Sequence, residues 1–209
     1  MNSNNYIVFD VETGGLDPFK SHITQIGMIA LSPDLKVIGT YESMIGQYAG
    51  LNKYDAKALK VTGFTLAQIE DSPSALYVFQ EVLDFIKLYI PKTKSDYPIL
   101  VGQNVEFDMG FLTVFFDHFK HDLRDYVFNT YIDTLALSKL KFALDKSVSQ
   151  YNLTALSNKF HISLTEAHSA LPDVEATAEI FIQMAHLLRV NEKPNSEKSL
   201  NPRSNYFQI

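Results

Sequence analysis

The chain has 209 residues, 46% of them hydrophobic and 20% charged, with a formal net charge of −6 and no cysteine. That size and balance predict one folded domain with a sizeable core. They exclude disulfides, thiolate metal sites and a cysteine nucleophile, and a negative chain does not coat nucleic acid by charge alone. No apolar run reaches membrane-spanning length, so no membrane partner is expected. Residues 1–5 lack a basic-then-apolar pattern, so no removable leader and a cytoplasmic location are the expectations.

Ile7, Val8, Phe9 and Val11 form an apolar run of β-formers, predicting a central strand. Asp10 and Glu12 interrupt it. Side chains alternate along a strand, so the two acids project from one face. Half-buried neighbouring carboxylates repel and lose hydration, a costly arrangement unless a cation lies between them; otherwise they read as solvated acids before a turn. Gly14-Gly15 breaks the strand, with bare backbone that a ligand could approach closely, and Leu16-Asp17-Pro18 reads as a turn.

A second strand is predicted over residues 22–31, with His22 as a solvated first residue. A turn at Ser32-Pro33-Asp34 follows, then a third strand over 35–45, completing an antiparallel meander. Residues 54–63 read as a short helix closed by Gly63, and 65–70 as another turn of helix. Pro73 opens a longer helix to about Tyr89, with Leu76, Phe79, Val82, Leu83 and Ile86 inward. A fourth strand is predicted over 99–101. Asn104 then reads as the N-cap of a helix carrying Phe107, Phe111, Val114 and Phe115 in one stripe, with Asp108 at its edge. Residues 127–131 suggest a fifth strand, Asp133 a cap for the helix after it, and 152–159 a short helix. The last helix opens near Pro172 and directs Asp173, Thr177, Ile180, Met184 and Leu188 to one face, most of it core, so Asp173 is an acid pointed inward, with His168 in the loop before it. Residues 191–205 are rich in Asn, Ser, Lys, Glu and Pro and predict a flexible tail ending in the apolar Tyr206-Phe207-Gln208-Ile209, which divides the chain into a folded domain over 1–190 and a tail over 191–209.

Three of these stretches carry a resemblance. Phe-Asp-Val-Glu-Thr-Gly-Gly-Leu at 9–16, Asn-x-x-Phe-Asp-x-x-Phe-Leu at 104–112 and His-x-Ala-x-x-Asp-x-x-Ala-Thr at 168–177 resemble the three motifs of DEDD exonucleases. His168, five residues before Asp173, resembles the DEDDh subgroup, which includes the epsilon proofreading subunit of bacterial replicative polymerases. The resemblance implies an α/β, ribonuclease H-like fold: a mixed sheet of about five strands, an antiparallel meander plus parallel strands, flanked by helices. It implies a 3′-to-5′ exonuclease acting on single-stranded or frayed DNA, with RNA 3′ ends as the alternative and a non-catalytic binding protein on the same fold as a third reading.

The implied cofactors are two Mg²⁺ or Mn²⁺ ions, in keeping with an all-oxygen donor set. By the same resemblance Asp10 bridges both metals, Glu12 and Asp173 complete the nucleophile-side metal, Asp108 holds the other, and His168 is the general base. Substrate contacts are expected from Thr13 and Gly14 through backbone groups, Leu16 as a wedge beside the last base, Val61, Thr62, Gln103, Asn104 and Phe107. Relatives often carry His where this chain has Thr62 and Gln103, and Pro172 beside the last Asp is a further departure; these bear on nucleotide preference. The tail reads either as a frayed terminus or a tip that packs back on its own domain, or, as the resemblance implies, as a docking segment for a DNA polymerase or sliding clamp.

Overall fold

The computed structural model describes residues 4–46, 54–90, 96–164 and 169–189. The apolar run at the start forms β1 (Tyr6–Thr13), flanked on one side by β2 (Ile23–Leu31) and then β3 (Val37–Met44), and on the other by β4 (Ile99–Gly102) and then β5 (Tyr131–Asp133). The order is β3-β2-β1-β4-β5. The first three strands pair antiparallel, while β1 with β4 and β4 with β5 pair parallel. This is the mixed five-stranded sheet expected of a ribonuclease H-like fold.

Two apolar layers cover the sheet because its strands carry large apolar residues on both faces. Ile7, Phe9, Val11, Ile26 and Met28 meet α3 (Ala75–Leu88) and α4 (Glu106–His118) on one side. Val8, Ile29, Leu31 and Val101 meet Val174, Ala178 and Phe181 of α7 (Ala170–Arg189) on the other. A third cluster joins α6 (Leu153–Phe160) to α7 through Leu156, Ile180 and Met184.

Local signals set most helix ends. Asp55 caps α1 (Ala56–Thr62), and Gly63 closes it at φ 74°. Thr65 and Gln68 form a reciprocal capping box on α2 (Leu66–Glu70), and Ser74 caps α3. Asp133 caps α5 (Thr134–Lys141), as expected, and Asn152 caps α6. Among the described residues, no helix is long and apolar enough to cross a membrane.

Several expectations need correction. β3 begins at Val37 because Leu35 is part of the turn: it adopts φ 65° and its N–H donates to Ser32 O at 2.8 Å. The fifth strand is residues 131–133 instead of 127–131; Val127 is consumed by the core, and Phe128 donates to Pro98 O before the ladder begins. Leu76 is 52% exposed, and Ala75, Val78 and Phe85 take the inward places on α3; Leu188 is likewise exposed, because the buried face of α7 ends at Met184. On α4 the buried face runs through Asp108, Phe111, Leu112, Phe115 and Phe116, leaving Phe107 partly exposed and Val114 at its margin. His22 is fully buried, its Nε2 2.7 Å from the Tyr54 hydroxyl, because the chain entering α1 folds over the start of β2. The tail over 191–209 lies outside the described residues.

Candidate active site

β1 outruns its parallel neighbour. β4 pairs with β1 only from Tyr6 to Val8, while β2 follows β1 to Thr13. The half of β1 that carries Asp10 and Glu12 is therefore open on the β4 side. α4 begins just after β4 and fills that side with Asp108, whose Oδ1 accepts the Val11 N–H at 3.3 Å. On the α7 face, Asp10 stands opposite Gly27 and Glu12 opposite Gln25. The missing side chain at Gly27 lets the first turn of α7 come down on the sheet, for a Cβ there would lie 2.9 Å from the carbonyl carbon and oxygen of Ala170. Asp173, one turn on, is thereby brought to the β1 acids.

Asp10, Glu12 and Asp173 each place a carboxylate oxygen within 4.8 Å of the others. Asp108 acts on the same charges. Burial pushes the Asp10 carboxyl well above its usual range, and the charges of Asp108, Glu12 and Asp173 push it further. Burial raises Glu12 to about 7, helped by Asp173. Burial also raises Asp108 to about 7, with Glu12 and Asp133 adding to it, although the hydrogen bond from Val11 N–H pulls the other way. Four converging acids, three of them buried and one half-buried, fit a hard divalent cation: the donors are all oxygen and the mutual repulsion is what such a charge would relieve.

Burial of these carboxyls, with their mutual repulsion added to it, makes stability depend on pH. Glu12 and Asp108 titrate near 7 when folded and near 4 when unfolded. The folded chain thus keeps protons that the unfolded chain has released. This contribution to stability is fully present below about pH 4 and is lost as pH rises to about 7. In EDTA at pH 8, Asp108→Asn, which keeps an oxygen acceptor for Val11 N–H, is expected to be more stable than the wild type by on the order of 2–4 kcal/mol, read as a higher unfolding temperature. The two should converge near pH 4. An Asp108→Asn protein that is no more stable than wild type at pH 8 would show that the carboxyl is not strained there.

The predicted substrate residues divide between two openings. Thr13, Leu16, Val61, Thr62 and Phe107 line one cleft together with Glu12, of about 270 Å³. Leu16 stands at its rim, 82% exposed. Thr13 Oγ1 donates to Gly15 O at 2.7 Å, and the Thr62 hydroxyl is engaged within its own turn by Leu59 O and Phe64 N–H. Gly14 does not line this cleft: its N–H donates to His22 O and its carbonyl accepts from Asp55 N–H, so both groups are used in holding the turn to α1. Gly15 is bare to make room for the Ser21 side chain.

Gln103 and Asn104 line a separate opening with Lys139 and Tyr151. Gln103 is a tie between elements, donating to Tyr151 O at 2.8 Å and accepting from Thr134 Oγ1 at 2.5 Å. Asn104 is not the cap of α4. It adopts φ 56°, a left-handed conformation that Asn tolerates, and its N–H is held by Asp133 Oδ1 at 2.9 Å; the helix starts from Val105 with no side-chain cap. His168 lies outside the described residues. Sequence reasoning missed Gly27, whose single-residue signal, a glycine inside an apolar strand, marks a close backbone approach.

Comparison with known proteins bears on this geometry. The family model RNase_T, described as exonuclease, matches residues 7–181. DNA polymerase III PolC-type of Caldanaerobacter subterraneus subsp. tengcongensis is 30% identical over 184 residues, which are 88% of this chain and 12% of the relative. The same-named polymerase of Lacticaseibacillus paracasei is 33% identical over 175 residues, 84% of this chain and 11% of the relative. The chain thus spans about an eighth or less of the length of these curated relatives. Among solved structures, E. coli exonuclease I in complex with a dT13 oligonucleotide superposes with a TM-score of 0.74 at 18% identity, covering 90% of this chain and 43% of that one. The nuclease domain of 3'hExo, a DEDDh family member bound to rAMP, gives 0.69 at 18% identity, covering 88% and 92%. At that identity the likeness is one of fold.

Proposed function

This chain belongs to the exonuclease family, and from that premise we propose that it removes nucleotides from the 3′ end of single-stranded or frayed DNA, releasing nucleoside 5′-monophosphates. The observation that carries the proposal is the convergence of Asp10, Glu12, Asp108 and Asp173 from one strand and two helices beside a cleft that one of them lines. These four would hold two Mg²⁺ or Mn²⁺ ions. When bound, the ions supply Lewis-acid activation of water and neutralise charge at the phosphate.

The protein's own groups do the rest. The largely apolar cleft between Leu16, Val61 and Phe107 receives the terminal base and sugar, with Leu16 at the rim to part that base from its neighbour. His168 takes the proton of the attacking water, and the 3′ oxygen of the penultimate nucleotide leaves. We further propose that the chain works beside a DNA polymerase or sliding clamp, with residues 191–209 as the docking segment; the PolC-type relatives support the polymerase setting alone.

A time course on end-labelled single-stranded DNA and RNA, with Mg²⁺ or with EDTA, tests the reaction and its substrate together. The expected products shorten one nucleotide at a time from the 3′ end, only with metal. Release of the labelled mononucleotide first from a 5′-labelled strand would overturn the polarity. A narrow cleft with one rim leucine admits one frayed base, so single strands and mismatched 3′ ends should be cut faster than paired ends. Leu16→Ala should narrow that ratio while leaving the rate on single strands close to wild type. An unchanged ratio would remove Leu16 from strand separation.

A further inference from the structure

The first N–H groups of a helix need partners from outside it. In α7 they are met from the sheet. Ala170 N–H donates to Gln25 Oε1 at 3.0 Å, in a buried contact, and Leu171 N–H donates to Glu42 Oε1 at 3.3 Å. Gln25 Nε2 donates to the same Glu42 oxygen at 3.0 Å, so the two side chains form one grip.

Their places in the sheet are those of the acids. Asp10 of β1, Gly27 of β2 and Glu42 of β3 make one row across the sheet; Glu12 and Gln25 begin the next. The middle of the first row is bare, and there the Ala170 backbone rests. Gln25 and Glu42 hold it from either side of that point. Asp173 is three positions on from Ala170, less than one helical turn, so a shift of the helix start moves the carboxylate.

We infer that Gln25, Gly27 and Glu42 are positioning residues for the metal-binding acids. They fix the height and rotation of the first turn of α7 over β2, and with it the approach of Asp173 to Asp10 and Glu12. The inference rests on the proposed metal chemistry of those acids. Gln25 supplies the acceptor for Ala170 and orders Glu42; the Glu42 oxygen serves as an acceptor, and its negative charge at the helix start is secondary.

Mn²⁺ titration of the full-length protein, followed calorimetrically and by electron paramagnetic resonance, tests this. Gln25→Met keeps the volume and removes both hydrogen bonds. Gly27→Ala puts a methyl group against Ala170. Each is expected to raise the Mn²⁺ Kd about tenfold or more, the size of loss seen when supporting contacts of metal ligands are removed. Glu42→Gln keeps the acceptor oxygen and should bind close to wild type. Met184→Ala, buried on the same helix about three turns beyond Asp173, loosens α7 without touching its first turn and should also bind close to wild type.

Wild-type affinity in both Gln25→Met and Gly27→Ala overturns the inference. So does an equal loss in Met184→Ala, which would make the effect one of general stability. A wild-type protein that binds no Mn²⁺ instead sinks the metal assignment of the acids, and this inference with it.

Discussion

Asp10→Asn is expected to lower hydrolysis by roughly 10³-fold or more, since metal-derived charge stabilisation in such reactions amounts to several kcal/mol. The substitution keeps the shape of the side chain and removes the charge at the centre of the cluster. The Asp10 carboxyl is raised first by burial and then by the charges of Asp108, Glu12 and Asp173. The same feature gives the variant a signature that a folding defect cannot imitate. In EDTA at alkaline pH, Asp10→Asn should be more stable than wild type, because one carboxylate whose charge is disfavoured by burial and by its acidic neighbours has gone. With saturating Mg²⁺ or Mn²⁺ the order should reverse, because wild type gains binding energy that the variant has lost. Asp173→Asn should follow it in activity. Thermal unfolding with and without metal, alongside a nuclease assay, reads all of this. Full activity in Asp10→Asn, or in wild type with EDTA, would end the metal-dependent reading.

For His168→Gln a fall in rate of roughly 10²–10⁴-fold is expected, the usual worth of a positioned proton acceptor. KM for single-stranded DNA should stay near wild type, because the loss is confined to the transition state. The position rests on spacing, five residues before Asp173 and two before the first residue of α7. A histidine base acts in its neutral form, so the wild-type rate should fall as pH drops below about 6.5. Glu12 and Asp108 hold protons up to about 7 in the metal-free protein, so acid also weakens metal binding. Measured with metal saturating at every pH, the remaining acidic limb belongs to His168 and should flatten in His168→Gln. A variant with wild-type rate at neutral pH would return His168 to an ordinary loop histidine.

The reach of sequence reasoning follows the range of the forces involved. β1, the meander and the ends of α1, α2, α5 and α6 were legible because strand alternation, a capping box, or a glycine just past a helix act over two to four residues. The acids were legible for the same reason: charge inside an apolar strand, or on the inward face of a helix, is a local contradiction that invites an explanation. Where local signals competed, the sequence misled. Asn104 is a residue type favoured at caps, yet it adopts a left-handed conformation with its backbone N–H held by Asp133. His22 carries a polar ring at a strand start, yet Tyr54 covers it.

The order of strands and helices, and the inward placing of the acids, are written in local pattern. How those acids meet depends on packing between distant segments. Asp108 reaches Val11 across 97 positions because β4 stops short of the end of β1. Asp173 reaches Asp10 and Glu12 because α7 is held by Gln25, 145 positions before Ala170, and by Glu42, 129 before Leu171, over a glycine that leaves room for it. Hydrogen bonds and bare surface of this kind have no period and no fixed spacing. They exist only once two distant segments have been packed together by apolar cores that neither segment reveals alone.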